Sequence, residues 1–179
     1  MPSGAERRAP FWALLLVTVG LDRITKVVAE SALGGGERIP VLGDLLTLQL
    51  VYNPGAAFGL HLGAWSRWIF LAIAIAAVPI LRKLWRETPA GDPVRQYAYG
   101  FVAGGAVGNG IDRILSSRGV IDFIDAGIPG GWRWPTFNVA DIAVSCGAVV
   151  LAICLWREDA QQRAVAAETA APAADSSAV

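Results

Sequence analysis

Four stretches of this chain are long and apolar enough to cross a bilayer as helices, and this constrains the fold more than anything else in the sequence. A spanning helix needs roughly 20 mostly apolar residues. Lipid offers no hydrogen bonds, so each such stretch must satisfy its own backbone as a helix. The four are FWALLLVTVGLDRITKVVAESAL (Phe11–Leu33), residues 65–85 with Pro79 as a predicted kink, residues 96–115 and residues 137–156. Hydrophobic residues make up 54% of the 179 positions, high for a water-soluble domain. The expected fold class is an all-α membrane protein with four transmembrane helices and a small extended (β) platform and short helix on the outer face. One membrane domain is expected over residues 1–157, with the platform near residues 34–64. The Ala-rich tail at 158–179 is expected to be disordered and cytoplasmic.

Arg7 and Arg8 before an apolar run resemble a signal peptide, but Asp22, Arg23 and Lys26 in the same stretch favour a retained anchor. The seven tryptophans fall near segment ends, where amphipathic indoles anchor at an interface. Outside the segments' central charges, the N-terminal tail, the 2–3 connection and the C-terminal tail carry eight Lys and Arg, against five on the other side. Both termini are therefore expected in the cytoplasm. Fifteen basic and fifteen acidic side chains cancel, so no charge excess points to nucleic acid. Cys146 and Cys154 would stand about 12 Å apart along one helix, too far for a disulfide, and read as packing residues. One histidine, His61, leaves no His/Cys zinc cluster. Gly100, Gly104 and Gly108 recur at four-residue spacing, a stripe that lets another helix approach closely. RIPVLGDLLTLQLVYN, before the turn NPG, reads as one or two short strands.

Asp22 and Lys26, Asn109, Asp112 and Arg113, Asp122 and Asp125, and Asn138 and Asp141 all fall toward one face under this topology. Mid-bilayer acids mark ion or substrate paths. Acids gathered at one interface make a polar pocket open to water and to lipid-embedded substrate. Asp22 and Lys26, at i and i+4, suit an ion pair as well as a substrate role. Asp112 and Arg113 suit an ion pair or a helix-end anchor, and Asp125 a solvated loop charge. Asp122 and Asp141 lie at the interface among apolar neighbours. Two carboxylates held together share a proton, so one can activate water while the other serves a carbonyl oxygen.

The motifs D-x-x-x-K (Asp22, Lys26), N-x-G-A-A-F at 53–58, G-N-x-x-D-R at 108–113, V-x-D-F at 120–123 and F-N-x-A-D at 137–141 resemble, in order and spacing, those of the lipoprotein signal peptidase (signal peptidase II) family. The resemblance spans roughly residues 11 to 157. It implies a bacterial inner-membrane aspartyl endopeptidase that removes signal peptides from prolipoproteins, cutting before a diacylglyceryl-modified cysteine. It implies Asp122 and Asp141 as the catalytic dyad. Asp22, Lys26, Asn53, Gly55, Phe58, Asn109, Asp112, Arg113, Asn138 and Ala140 would form or support the pocket. It also implies no metal or cofactor, inhibition by the cyclic peptide globomycin, membrane lipid and prolipoprotein as partners, and action as a monomer. Pro54 and Gly110 depart from the usual pattern at unconstrained motif positions. A transporter is disfavoured by acids at one face and by the lack of an inverted repeat. A serine/lysine peptidase is disfavoured by the lack of a Gly-x-Ser-x-Gly elbow.

Overall fold

A computed structural model of the chain describes residues 9–55 and 63–170. Phe58 of the 53–58 motif and His61 lie outside the described residues. The elements run α1 (Phe11–Leu33), β1 (Arg38–Leu42), β2 (Leu46–Asn53), α2 (Ser66–Glu87), α3 (Pro93–Leu115), β3 (Val120–Ala126) and α4 (Val139–Ala170), with a 3-10 turn at Gly63–Trp65. The chain is mostly helical, with four long helices and one three-stranded sheet. Two helices, α2 and the Val139–Ala167 part of α4, are long and apolar enough to cross a membrane by themselves.

α1 shows why the other two carry more charge. Its buried residues are Phe11, Leu15, Thr18, Asp22, Lys26, Ala29 and Leu33, a stripe at three- and four-residue spacing. Its exposed face holds Leu16, Val17, Leu21, Ile24, Val27 and Val28. Polar groups point inward and aliphatic ones outward, the reverse of a helix on a water-soluble domain.

α3 is the central element and packs against α1, α2 and α4. Its start is set locally: the Asp92 side chain accepts from the Arg95 N–H at 3.1 Å, and Pro93 occupies the first turn. The glycine stripe does what its spacing predicts. Leu14 packs over Gly100, Thr18 over Gly104 and Asp22 over Gly108, so α1 and α3 lie in parallel at close range. Phe11, Leu15, Tyr99 and Ala103 fill the core at the end away from the sheet. A second cluster, Ala29, Leu33 and Phe123, seats α1 against the sheet.

The sheet has the antiparallel order β1-β2-β3. β3 corrects the expectation of Asp125 as a loop charge, since Asp125 lies in a strand. VIDFIDA does not alternate, because both faces of the strand are covered. The tail differs too. α4 continues to Ala170, where disorder was expected from 158. Extending an existing helix needs no new nucleus, Ala, Gln, Glu and Arg propagate it well, and Asp159 pairs with Arg163 at 2.9 Å. Trp85 is half-buried and donates its indole N–H to the Ala9 carbonyl at 3.1 Å, while the other six tryptophans are exposed. Cys146 and Cys154 are free, and Cys146 is exposed rather than packed.

Candidate active site

Asp122 and Asp141 come from different elements and are brought together by backbone pairing. β3 carries Asp122 opposite Val51 of β2. After β3 the chain loops out and returns, and Phe137 pairs with Ile124 as an isolated bridge, with N–H to carbonyl distances of 2.8 and 3.0 Å. That bridge sets Asn138 beside Asp122. Asn138 Nδ2 donates to Asp122 Oδ1 at 2.7 Å. Asn138 also starts α4. Its Oδ1 accepts the Asp141 N–H at 2.9 Å, and Asp141 Oδ2 accepts the Asn138 N–H at 3.2 Å. This is a reciprocal capping box with Asn and Asp in place of the usual Ser/Thr and Glu. One side chain thus caps a helix, fixes Asp141 and holds Asp122.

Each acid has one further amide donor. Asn53 Nδ2 reaches Asp122 Oδ2 at 3.0 Å, and Asn109 Nδ2 reaches Asp141 Oδ1 at 2.8 Å. Asn53 is itself oriented, since its Oδ1 accepts the Gly55 N–H at 3.0 Å. Gly119 (φ +110°) backs this turn, and a Cβ there would collide with the Asn53 backbone. Arg113 clamps the turn from α3, donating to the Asn109 and Gly55 carbonyls at 3.0 and 3.2 Å.

Asp122 and Asp141 both line a cavity of about 680 Å³ with Asn53, Trp134, Phe137 and Ile142. Asp122 is 1% exposed. Burial first, and the neighbouring charge of Asp141 second, push its carboxyl up to about 7, against the opposing pull of the Asn53 and Asn138 hydrogen bonds.

The remaining acids have cationic partners. Lys26, with no exposed surface, sits 2.8 Å from Asp22 and 2.6 Å from Asp112. Asp22 also accepts the Ala140 N–H at 2.9 Å, and Asp112 the Ile121 N–H at 3.2 Å, so both acids tether the backbone beside the proposed site residues. Asp22, Lys26 and Asp112 stand behind the cavity wall rather than in it. Asp125 is not the solvated loop charge expected. It is 2% exposed and binds Arg133 at 2.8 Å, Thr47 at 2.9 Å and Arg38 at 3.1 Å. The Arg133 hydrogen bonds hold its carboxyl below the ordinary carboxylate range. Among the described residues, Asp122 and Asp141 have no hydrogen bond or ion pair with a cationic side chain.

The sequence reading missed Ile142, Ser145 and Cys146, which line the cavity below Asp141. Only Ser145 carried a signal, since i+4 from Asp141 falls on its side of a helix. Trp134, Pro135 and Thr136 were hidden in a loop without a pattern.

A family model described as Signal peptidase (SPase) II matches residues 14–157. This chain belongs to the signal peptidase II family. A lipoprotein signal peptidase of Hydrogenovibrio crunogenus is 42% identical over 144 residues, covering 79% of this chain and 81% of the relative. One from Nitratidesulfovibrio vulgaris is 36% identical over 153 residues, covering 84% and 91%. Two solved bacterial membrane enzyme structures superpose with TM-scores of 0.75 and 0.70 at 28% and 29% identity. They cover 84% and 81% of this chain and 90% and 91% of their own. All five family-like motifs lie within the matched span, including the segments that deliver Asp122, Asn138 and Asp141.

Proposed function

We propose that this member of the signal peptidase II family is an aspartyl endopeptidase of the bacterial inner membrane. It removes signal peptides from diacylglyceryl-modified prolipoproteins, cutting before the lipidated cysteine. The observation that carries the reading is the pairing of Asp122 and Asp141 on one cavity through a single residue, Asn138. All four long helices cross the bilayer, and both termini are cytoplasmic. The inside-out pattern of α1 supports this, since exposed Leu, Ile and Val suit lipid and the buried charges are paired. Asp141 in the first turn of α4 and Asp112 in the last turn of α3 then lie near the outer interface, at the depth of an acyl-anchored cysteine.

Asp122 carries the shared proton and Asp141 is ionised. Asp141 takes a proton from water, and the oxygen bonds to the carbonyl carbon of the residue before the lipidated cysteine. Asp122 gives its proton to the carbonyl oxygen as it becomes tetrahedral. The intermediate then collapses and the C–N bond breaks. The leaving amine takes the proton from Asp141, and Asp122 regains one from the collapsing hydroxyl. The lipid chains fix depth and position, which is where most of the entropic cost of reaction lies. No metal or cofactor takes part.

The test is cleavage of a purified diacylglyceryl-modified preprolipoprotein by purified enzyme. Asp122→Asn and Asp141→Asn each abolish release while the protein still inserts and folds. Near-normal turnover in either variant removes that residue from the dyad. Globomycin should block the wild-type reaction.

A further inference from the structure

Asn109 lies between a buried cation and a proposed catalytic acid, and its amide has a forced orientation. Its Oδ1 accepts from Lys26 Nζ at 3.0 Å and from Asn138 Nδ2 at 3.1 Å, and its Nδ2 donates to Asp141 Oδ1 at 2.8 Å. Turning the amide over would set NH₂ against an ammonium and a second NH₂, and oxygen against a carboxylate. Asn138 cannot turn to compensate, because its Oδ1 is held by the Asp141 N–H. Lys26 has three donors and no acceptor, and it meets three acceptors: Asp22, Asp112 and Asn109. It has no exposed surface and does not line the cavity, so it cannot touch substrate.

We propose that Lys26 is a positioning residue that, through Asn109, keeps an amide N–H aimed at Asp141 and so makes Asp141 the dyad member that holds the negative charge. This rests on the dyad reading above. Counting donors does not separate the two acids, since each accepts two hydrogen bonds. The difference lies one residue further back. An ammonium on the carbonyl end of an amide polarises it and strengthens its N–H as a donor, and a chain of such bonds reinforces itself. Among the described residues, only the Asn109 amide has a cation behind it; the Asn53 and Asn138 oxygens accept backbone N–H groups. The charged groups around this chain are Asp22 and Arg23 on α1, Asp112 and Arg113 on α3, and Asp122 on β3. The plainer role for Lys26, a counter-ion for Asp22 and Asp112, predicts a loss of stability and, through the Asp22 tether on the Ala140 N–H, a slower turnover, but no movement of the acid limb.

The experiment separates them with Lys26→Met combined with Asp22→Asn, which leaves net charge unchanged. Asp112 keeps Arg23 and the Ile121 N–H. The expected result is a kcat about 10²-fold lower with KM changed less than about twofold, and the acid limb of kcat moved to higher pH. Lys83→Met, removing an exposed cation on α2, leaves all three unchanged. Infrared titration of ¹³C-aspartate-labelled protein in an Asp122→Asn background, taken as the difference from the same protein carrying Asp141→Asn, reads Asp141 without turnover. Its carboxylate band forms at higher pH when Lys26 and Asp22 are replaced. An unmoved acid limb and an unmoved band overturn the proposal, whatever happens to kcat and stability. If wild-type protein cleaves no prolipoprotein, the functional reading falls, and the infrared titration alone still decides the role of Lys26.

Discussion

Gly108→Ala and Gly110→Ala, two positions apart on α3, should change stability in opposite directions. A Cβ on Gly108 would stand 2.6 Å from Asp22 Oδ2 and 3.4 Å from the Ala140 Cβ. An ordinary contact needs roughly 0.8 Å more. Asp22 has nowhere to move, because one oxygen is held by Lys26 at 2.8 Å and the other by the Ala140 N–H at 2.9 Å. Alanine gains up to about 1 kcal/mol of helix propensity over glycine. Overpacking costs about 1–3 kcal/mol, and a weakened charge-assisted hydrogen bond about 1.5–3 kcal/mol. The net is a destabilisation of about 2–3 kcal/mol. At Gly110 the nearest atoms are the Ala74 Cβ at 3.7 Å and Leu71 Cδ1 at 3.8 Å, ordinary contacts, so most of the propensity gain survives. SDS unfolding titrations of the detergent-purified protein read both. Turnover divides the same way. Pushing Asp22 moves the Ala140 N–H and with it the first turn of α4, which carries Asp141. A misplacement near 1 Å costs about 10²-fold in rate. A Gly108→Ala protein as stable and as active as Gly110→Ala refutes both the close approach and its link to Asp141.

Two further predictions concern charge. Asp122, raised to about 7 in the folded protein, holds a proton that the unfolded chain releases near its ordinary value of 3.8. Stability therefore falls as pH rises across that window, by at most about 1.4 kcal/mol per unit, and levels off above it. Asp122→Asn removes this slope from SDS midpoints measured between about pH 4 and pH 8, and an unchanged slope refutes the assignment. Asp125→Ala leaves Arg38 and Arg133 facing each other without their acid. Breaking a buried pair costs 3–5 kcal/mol, but the two side chains are 47% and 28% exposed, so about 2 kcal/mol is expected. An unmoved unfolding midpoint would show that this clasp does not hold the sheet together.

The helices were legible because long apolar runs leave so few alternatives. α1 has the bounds read from its hydropathy, and α3 ends at Leu115 as expected. β3 was not legible. Its VIDFIDA run lacks the alternation that marks a half-buried strand, since both of its faces are covered. Missing β3 also hid why Asp125 is buried, because Thr47 and Asp125 are register partners across β2 and β3. The Asn138–Asp141 capping box was readable from N-x-A-D, three residues apart ahead of an apolar run. What spacing could not give is which acids share which cations. That depends on α1 and α3 lying at glycine distance, a tertiary fact.

That sorting explains why so many acids gather at one end of the bundle. Asp22 and Asp112 share Lys26, and Asp125 has Arg38 and Arg133. Their charges are balanced, and what they do is hold backbone: Ala140, Ile121 and the β1–β2 hairpin. A cation bonded to Asp122 would hold it ionised too, and the pair would then have a base but no proton to give. Among the described residues, Asp122 and Asp141 instead receive amide and backbone N–H groups alone. Neutral donors orient a carboxyl without deciding its charge, so two acids on one cavity must settle a proton between them. The cationic network stands one layer behind, close enough to bias that choice through Asn109 and too far to abolish it. A protease working through the proposed pair needs its balanced acids to be rigid so that the unbalanced pair can stay reactive.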